Sequence, residues 1–337
     1  MNKLRHLIPA LLALTLLASC TRTSSPPDAS SSAQPWENAE LFLSLATEGV
    51  STQRFTGITQ RLLEASGGRI YCNCYSEGSM GGDAELLRAV KDGTISVILS
   101  ATSVQSKEVP ELALLDTPYL FSDEVSCNEQ LNHELLDFFQ PYYNKAGLQL
   151  LAWYCPGFRE LTSSVLIERP ADLSKLKIRT MDNKYHQIYW AAVGAHPQSV
   201  SYSNLFYAAQ QGVINAQENI LGATLAIDLQ YIQPYYILTN HLPFINAVVM
   251  NKELYDSLSP EEQKIVSGAF QDQFVDPSGF YEQDDPGAYF SYVLTPSPEL
   301  QQKLESGVPA VRAALEEDLG KEVTDAFYAA VGVDPPQ

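Results

Sequence analysis

Residues 70–100, IYCNCYSEGSMGGDAELLRAVKDGTISVILS, contain the pattern that decides the fold. The stretch begins with a predicted strand at Ile70–Tyr75 and ends with a second one at residues 95–100. Between them, apolar residues recur at helical spacing in residues 85–91, and Gly93 ends the predicted helix. The order strand, helix, strand is typical of α/β folds.

The same alternation continues on both sides of this stretch. Upstream, an apolar run at residues 41–46 predicts a buried strand, and residues 55–63 predict a helix that two glycines end. Downstream, strands are predicted at residues 148–154, 161–166, 176–179 and 244–250, and helices at residues 185–193, 204–210 and from Ser259-Pro260 onward. This order predicts mainly parallel sheets with helices on both faces.

The strand and helix pattern starts again after residue 154, which indicates two α/β units joined by crossing strands. We therefore expect a bilobal protein with a ligand cleft between two domains and a late helical region. The expected first domain comprises residues 37–154 plus 243–285. The second comprises residues 155–242 plus 286–330, and residues 331–337 form a C-terminal tail.

The N-terminal segment has the features of a secretory signal. Lys3 and Arg5 precede an apolar stretch at residues 7–18, which is shorter than the ~20 residues that a membrane-spanning helix needs. We expect residues 1–19 to be removed as a signal peptide. The mature net charge would then change from −19 to −21, because two basic residues and no acid leave with the signal.

The end of this signal, Leu17-Ala18-Ser19-Cys20, resembles the lipobox of bacterial lipoproteins, in which the cysteine becomes the lipidated N-terminus. An ordinary signal peptide with an incidental cysteine is the alternative. Residues 20–36 are expected to form a flexible linker rich in Ser, Pro and Ala, with a reach of roughly 20 Å. These features predict a protein anchored by lipid to the outer side of a bacterial membrane.

The excess of acidic residues, 40 against 21 basic ones, excludes a nucleic-acid-binding protein of the usual basic kind. It also sets a condition on any anionic ligand, because the field of the whole protein repels it. The binding site must therefore be locally positive, and screening over ~8 Å at physiological salt makes such a site effective.

Cys72, Cys74, Cys127 and Cys155 remain after Cys20 is assigned to the lipid. An even number outside the cell suggests disulfides, with three possible pairings. A direct bridge between the first two would strain the backbone, because they share one face of a predicted strand. Four buried thiols are the alternative, and the spacing does not match a zinc site. We expect neither a metal nor a cofactor.

Five segments carry a resemblance to a known family. They are residues 75–83 with 85–94, residues 110–112 with 116–121, residues 157–163 with 170–179, residues 210–219, and residues 238–241. In order and spacing they resemble the extracytoplasmic solute-binding subunits of TRAP transporters, the DctP-like family, over residues 41–330. The resemblance implies a cleft that closes on its ligand and delivery to a membrane permease driven by an ion gradient.

The resemblance also implies the ligand-binding residues of the second domain. Arg179 stands at the position of the arginine that pairs with the ligand carboxylate, which its planar guanidinium matches in a bidentate way. A structural salt bridge is the alternative reading of this residue. Arg159 is either a second donor to the ligand or a brace for Arg179. Asn219 is the expected amide partner, and Tyr202 is expected in the pocket wall or in the core.

Thr102, Glu48 and Asp83 are the candidate ligand-binding residues of the first domain. Thr102 follows the carboxyl end of a predicted strand, where open α/β sheets bind ligands. Glu48 is unusual in a site for anions and could receive a ligand hydroxyl. Ala101 and Val104 occupy positions where sialic-acid-binding relatives carry an acid and a base, which favours a smaller acid here.

The sequence departs from the family in the late helical region. Relatives have a long helix there that runs across both domains. Pro277 and Pro286 predict that this helix is broken or kinked here, because proline removes a backbone hydrogen bond.

An enzymatic function is not indicated, because the sequence lacks the GxSxG, P-loop, HExxH and GxGxxG motifs. We expect a solute-binding protein for a small monocarboxylate, dicarboxylate or sugar acid, with permease subunits as its partners. A binding lipoprotein of an ATP-driven importer is the alternative, and the five family segments argue against it.

Overall fold

The computed structural model describes residues 34, 36–48, 56–275 and 285–333. The strands are β1 Leu41–Thr47, β2 Ile70–Tyr75, β3 Val97–Ala101, β4 Leu148–Tyr154, β5 Phe158–Ser163, β6 Lys177–Thr180, β7 His196–Ser199, β8 Ala216–Asn219, β9 Tyr235–Pro243, β10 Asn246–Asn251 and β11 Tyr292–Leu294. They form one sheet of order β2-β1-β3-β10-β4 and another of order β11-β9-β5-β8-β6-β7. The two-sheet α/β architecture is the one predicted from the sequence.

Helices cover the sheets and occupy most of the last 80 or so residues. They are α1 Thr56–Ser66, α2 Asp83–Lys91, α3 Thr102–Gln105, α4 Glu124–Asn132, α5 Glu134–Lys145, α6 Lys184–Ala192, α7 Tyr202–Gln210, α8 Leu221–Leu225, α9 Lys252–Ser257, α10 Pro260–Val275, α11 Pro298–Glu305, α12 Val308–Leu319 and α13 Lys321–Ala330. Across the part of the chain that the structure describes, none of these helices has the length and apolar character to cross a bilayer. The predicted signal, Cys20 and the linker up to residue 33 lie outside the described residues.

The first sheet confirms the pattern found in residues 70–100. β1 pairs in parallel with both β2 and β3, and apolar residues of α2 pack beneath them, with Leu86 and Val90 fully buried. Asp92 and Gly93 end α2, and Gly93 has a φ of +80°, a conformation that glycine adopts without strain.

The expectation of mainly parallel sheets was wrong, because both sheets are mixed. β10 is antiparallel to β3 and β4, and β5 is antiparallel to β8 and β9. The physical reason is that these strands enter each sheet from the other one. β5 also begins three residues earlier than predicted, at Phe158, directly after the crossing segment.

Two short segments pass directly between the two sheets, and the longer connection from β10 to β11 passes between them as well. Residues 155–157 connect β4 to β5, and residues 244–245 connect β9 to β10. The two crossing segments lie side by side, since the backbone N–H of Phe244 donates to the carbonyl of Gly157 at 2.9 Å. The crossings therefore bring the two sheets together at a fixed place, which is also where the candidate site lies.

The late helical region differs from one long helix. α10 packs against α1 and β4 on the first sheet and its described part ends at Val275. Pro277 lies outside the described residues. Pro286 begins a short 3-10 helix, Pro286–Ala288, after which β11 adds to the edge of the second sheet. Pro286 therefore lies in a short 3-10 helix followed by a strand, and not within a long α-helix.

Candidate functional site

Arg179 lies near the carboxyl end of β6, between the parallel strands β7 and β8. Its side chain is buried, with the residue 3% exposed, and its Nε donates to the carbonyl of Val200 at 2.7 Å. Nη1 is buried without any hydrogen-bond partner, and no acidic side chain of the described residues forms an ion pair with this guanidinium. Burial and the neighbouring Arg159 lower the pKa of Arg179 to about 10, so it stays charged at neutral pH.

Arg159, near the start of β5, is also buried but its guanidinium has partners. Its Nε and Nη2 pair with the carboxylate of Glu218, and Nη2 also donates to the Glu218 carbonyl at 2.8 Å. The guanidinium carbon lies 5.7 Å from the ring centre of Phe244 in the second crossing segment. This geometry favours the reading of Arg159 as a brace near Arg179 rather than as an uncommitted donor.

Glu218 is the centre of a buried charged network that the sequence analysis did not identify. His186 Nδ1 and His241 Nε2 lie 3.5 and 3.4 Å from its two carboxylate oxygens. Burial would raise the pKa of Glu218, but Arg159 and the two histidines hold it well below the usual range. The sequence feature that could have identified Glu218 is its position beside Asn219 in one of the family segments. The two histidines that contact it lie far from it in the sequence.

The two histidines of this network differ in charge. Burial alone would lower the pKa of His186, but Asp116, at 3.2 Å from Nε2, and Glu218 raise it to about 9. His241 has no such second carboxylate, and burial lowers its pKa. At neutral pH, His186 is therefore charged and His241 neutral, so Glu218 and Asp116 are balanced by Arg159 and His186.

Asn219 and Tyr202 are the remaining candidates of the second domain. Asn219 lies on the same face of the sheet as Arg179, because Arg179 pairs with Gln217 two residues before it. Asn219 is the buried last residue of β8; its Oδ1 accepts from the N–H of Ile220 at 3.0 Å, and no described residue accepts from its Nδ2. Tyr202 is the first residue of α7, 41% exposed, and its hydroxyl donates to the carbonyl of Ala223 at 2.6 Å. Its exposure argues against the core-packing reading, and it lies close enough to Arg179 to feel its charge.

The candidates of the first domain are linked to one another by hydrogen bonds. Glu48 Oε2 accepts from the N–H of Asp83 at 2.9 Å, so it satisfies the amino end of α2. Asp83 Oδ2 lies 3.5 Å from the N–H of Ala101, and burial together with Glu48 raises the pKa of Asp83 to about 6. Thr102 donates from both N and Oγ1 to the carbonyl of Ile245, in the second crossing segment, at 3.0 and 3.2 Å.

Residues of both halves meet around a cavity of about 20 Å³, roughly the space of one water molecule. It is lined by Ala101, Thr102, Ser103, Asp116, Arg159, Met181, His186, Leu242, Pro243, Phe244 and Ile245. The structure thus brings Thr102 and Arg159 to one cavity and connects Glu48 and Asp83 to it through Ala101. Arg179 on β6 and Asn219 on β8 lie in the second sheet, and Tyr202 begins α7; these three residues do not line the cavity. Sequence reasoning missed Ser103, Met181 and Phe244.

The wider depression of about 860 Å³ lies elsewhere and is lined by residues 305–317, most of them on α12. Because those residues come from one stretch of chain, this depression lacks walls from the two halves of the molecule. No group of three or more His, Cys, Asp or Glu suited to a metal ion occurs within residues 36–48, 56–275 and 285–333.

Comparison with known proteins identifies similar sequences and folds. Residues 42–273 match the DctP family, described as bacterial extracellular solute-binding protein, family 7. The 2,3-diketo-L-gulonate-binding periplasmic protein YiaO of Escherichia coli is 26% identical over 292 residues, which is 83% of each chain.

Two solved structures show that the fold is shared at low sequence identity. A TRAP periplasmic solute-binding protein from Ochrobactrum anthropi, with its C-terminus bound in the ligand-binding pocket, has a TM-score of 0.80 at 22% identity over 88% of this chain and 96% of its own. The sugar-acid-binding protein DctPAm from Advenella mimigardefordensis, in complex with galactonate, has a TM-score of 0.75 at 22% identity over 87% of this chain and 98% of its own.

Proposed function

Because this chain belongs to the DctP family of bacterial extracellular solute-binding proteins, we propose that it captures a small organic acid and delivers it to the permease of a TRAP-type transporter. The ligand binds between the two proposed domains, residues 37–154 plus 243–285 and residues 155–242 plus 286–330. Cys20 carries the lipid that holds the protein at the membrane. The family consists of solute-binding proteins, which points against an enzymatic activity.

The observation that carries this proposal is the difference between the two buried arginines. Arg159 has a carboxylate partner in Glu218, whereas among the described residues Arg179 has only the carbonyl of Val200. A buried charge without a counter-ion is unfavourable, because it has lost hydration and gained no partner. A ligand carboxylate at Nη1 of Arg179 would supply that partner, and the guanidinium favours a planar, bidentate anion.

The charge distribution supports an anionic ligand in spite of the net charge. Glu218 neutralises Arg159 and Asp116 neutralises His186, which leaves Arg179 as a cation without a carboxylate partner among the described residues. At physiological salt, charges further than ~8 Å from the ligand are largely screened. The distant acidic residues therefore repel a bound anion only weakly, and the nearby guanidinium attracts it at short range. Selectivity then depends on contacts made within the cleft.

Those contacts favour an acid that also carries hydroxyl groups. Asn219 offers an uncommitted amide donor, while Glu48 and Asp83 offer carboxylate oxygens that can accept from hydroxyls. Two similar proteins fit this chemistry: YiaO is named for binding 2,3-diketo-L-gulonate, and DctPAm was solved with galactonate. We therefore propose sugar acids as the first ligands to test, with simple mono- and dicarboxylates next.

A thermal-shift screen of small carboxylic acids, each paired with its neutral amide, tests this function. A true ligand present at 100 times its Kd should add ~2.7 kcal/mol of apparent stability, and its amide should add much less. Equal stabilisation by an acid and its amide would contradict carboxylate recognition. The same would follow if an acid whose binding is measurable by calorimetry gave no stabilisation. Uptake of the acid into vesicles carrying the TRAP permease, with and without this protein, distinguishes delivery to that permease from service to an ATP-driven importer.

A further inference from the structure

Cys127 and Cys155 form a buried pair of thiols next to the first crossing segment. Cys127 lies on α4, and Cys155 is the first residue after β4, where the chain leaves the first sheet. Both are fully buried within the same apolar cluster, and both carry thiols in this structure. The ligand site uses neither of them.

The backbone around this pair is held in position by asparagines of α4. Asn128 Oδ1 accepts from the N–H of Cys155 at 3.0 Å, and its Nδ2 donates to the Cys155 carbonyl at 2.9 Å. Asn132 makes the same pair of bonds one turn later, to N and O of Trp153 at 2.9 and 3.3 Å. These four bonds fix α4 alongside the end of β4, with residue 127 beside residue 155.

The side chains of the pair belong to one buried apolar cluster within this frame. Burial and the neighbouring Cys155 raise the pKa of Cys127. The Cys155 thiol lies 3.5 Å from the carbonyl of Gly157 in the crossing segment. The residue next to Cys127 thus holds the backbone of Cys155 on both sides, which places the two thiols on neighbouring segments of the chain.

We propose that Cys127 and Cys155 are joined by a disulfide in the protein outside the cell. The bond would link α4 to the first residue of the crossing segment, which the proposed boundary at residue 155 assigns to the second domain but which is buried in the apolar cluster of the first sheet. It would therefore stiffen the first-sheet end of the connection between the sheets and leave closure of the cleft unhindered. The extracellular location follows from the family and belongs to the proposed function.

The oxidation is an exchange with an external disulfide, either of a protein or of glutathione. One thiolate of the pair attacks the external disulfide, forms a mixed disulfide and releases one external thiol. The second thiolate then attacks the mixed disulfide, forms the bond between residues 127 and 155 and releases the second external thiol. Two electrons and two protons pass to the oxidant. Because both sulfurs are buried in the folded protein, the exchange belongs to the folding stage.

The other two cysteines provide an internal comparison. Cys72 and Cys74 are two residues apart on β2, opposite Leu43 and Leu45 of β1. Their side chains share a face and their Cβ atoms are held about 6–7 Å apart by the strand geometry, whereas a disulfide needs ~3.5–4.5 Å. The paired strand would have to distort to close that bond, so these two residues should remain thiols.

Peptide mapping of the full-length exported protein tests the proposal. Thiols are trapped with an alkylating agent in acid, and the protein is digested without reductant and examined by mass spectrometry. We expect a peptide linked through residues 127 and 155, with Cys72 and Cys74 alkylated. Refolding of the denatured, reduced protein in glutathione disulfide should produce the same link. Four alkylated cysteines in the exported protein, or a link between Cys72 and Cys74, would overturn the proposal.

Two double variants separate a real bond from an effect of mutating the core. The Cys127→Ala/Cys155→Ala protein and the matched Cys72→Ala/Cys74→Ala protein are each refolded with a reductant and with glutathione disulfide. Closing a loop of about 30 residues predicts a Tm about 5 °C higher for the oxidised wild type. The matched variant should keep this difference and the Cys127→Ala/Cys155→Ala variant should lose it. If the Tm of the Cys127→Ala/Cys155→Ala variant were still higher after refolding with glutathione disulfide than with a reductant, the assignment would also be refuted.

Discussion

Replacing Arg179 measures what its unpaired guanidinium contributes to ligand binding. In the complex this group would be one member of a buried ion pair, and removing one member of such a pair typically costs ~3–5 kcal/mol. At ~1.4 kcal/mol per factor of ten, Arg179→Ala should weaken binding of the acid by roughly a hundredfold to a few thousandfold. Arg179→Lys should not restore full affinity, because an ammonium lacks the planar fork.

The structure predicts a different effect on folding. In the free protein, Arg179→Ala removes the one hydrogen bond that this side chain makes to a described residue, the carbonyl of Val200, worth about 1 kcal/mol. The mutation also removes a buried charge that has no carboxylate partner among those residues. Arg159→Ala is the matched control, because it leaves Glu218 buried without its main counter-ion. Breaking that pair should destabilise the fold by ~3–5 kcal/mol.

Calorimetry with the acid and its amide, together with urea unfolding of each variant, separates these effects. We expect Arg179→Ala to lose affinity for the acid far more than for the amide while it stays folded. We expect Arg159→Ala to lose mainly stability. Equal losses for acid and amide, or a folded Arg179→Ala protein with unchanged affinity, would refute the reasoning and move the carboxylate anchor elsewhere.

Three further predictions concern pH, closure and the membrane anchor. The free energy of unfolding should fall as the pH rises from 6.5 to 9. The pKa of His186 in the folded state is about 9, so its stabilisation is fully present below pH 6.5 and is lost as the pH rises through 9. Burial raises the pKa of Glu160 to about 8, so this residue also makes the folded state less stable as the pH rises. Urea titrations at pH 6 and pH 9 that give equal or increasing stability would contradict both assignments. Saturating ligand should decrease the radius of gyration in small-angle scattering by hinge closure, and an unchanged radius for protein that starts open would count against a closing cleft. Cys20→Ala should abolish incorporation of labelled lipid in cells, so that labelled Cys20→Ala protein would disprove the anchor.

Several elements could be predicted because their signal is local. β1, β2 and β4 are apolar runs with clear limits, and α6 and α7 have the spacing of half-buried helices, so the sequence places them within one or two residues. β7, with the sequence HPQS, and β8, with AQEN, carry no such signal. β8 is nonetheless fully buried, because its polar side chains belong to the hydrogen-bonded centre of the second sheet.

What the sequence determined by itself is the family pattern, the α/β class and the short set of polar residues that includes Arg179, Arg159 and Asn219. It could not determine which arginine is uncommitted, since both lie in family segments and the chain has acids to pair with either. That choice depends on Glu218, which is 59 residues from Arg159 and reaches it only because β5 and β8 are neighbours in the second sheet. The mixed direction of the sheets was hidden for the same reason: strand pairing is set by contacts between distant segments, which local periodicity does not record.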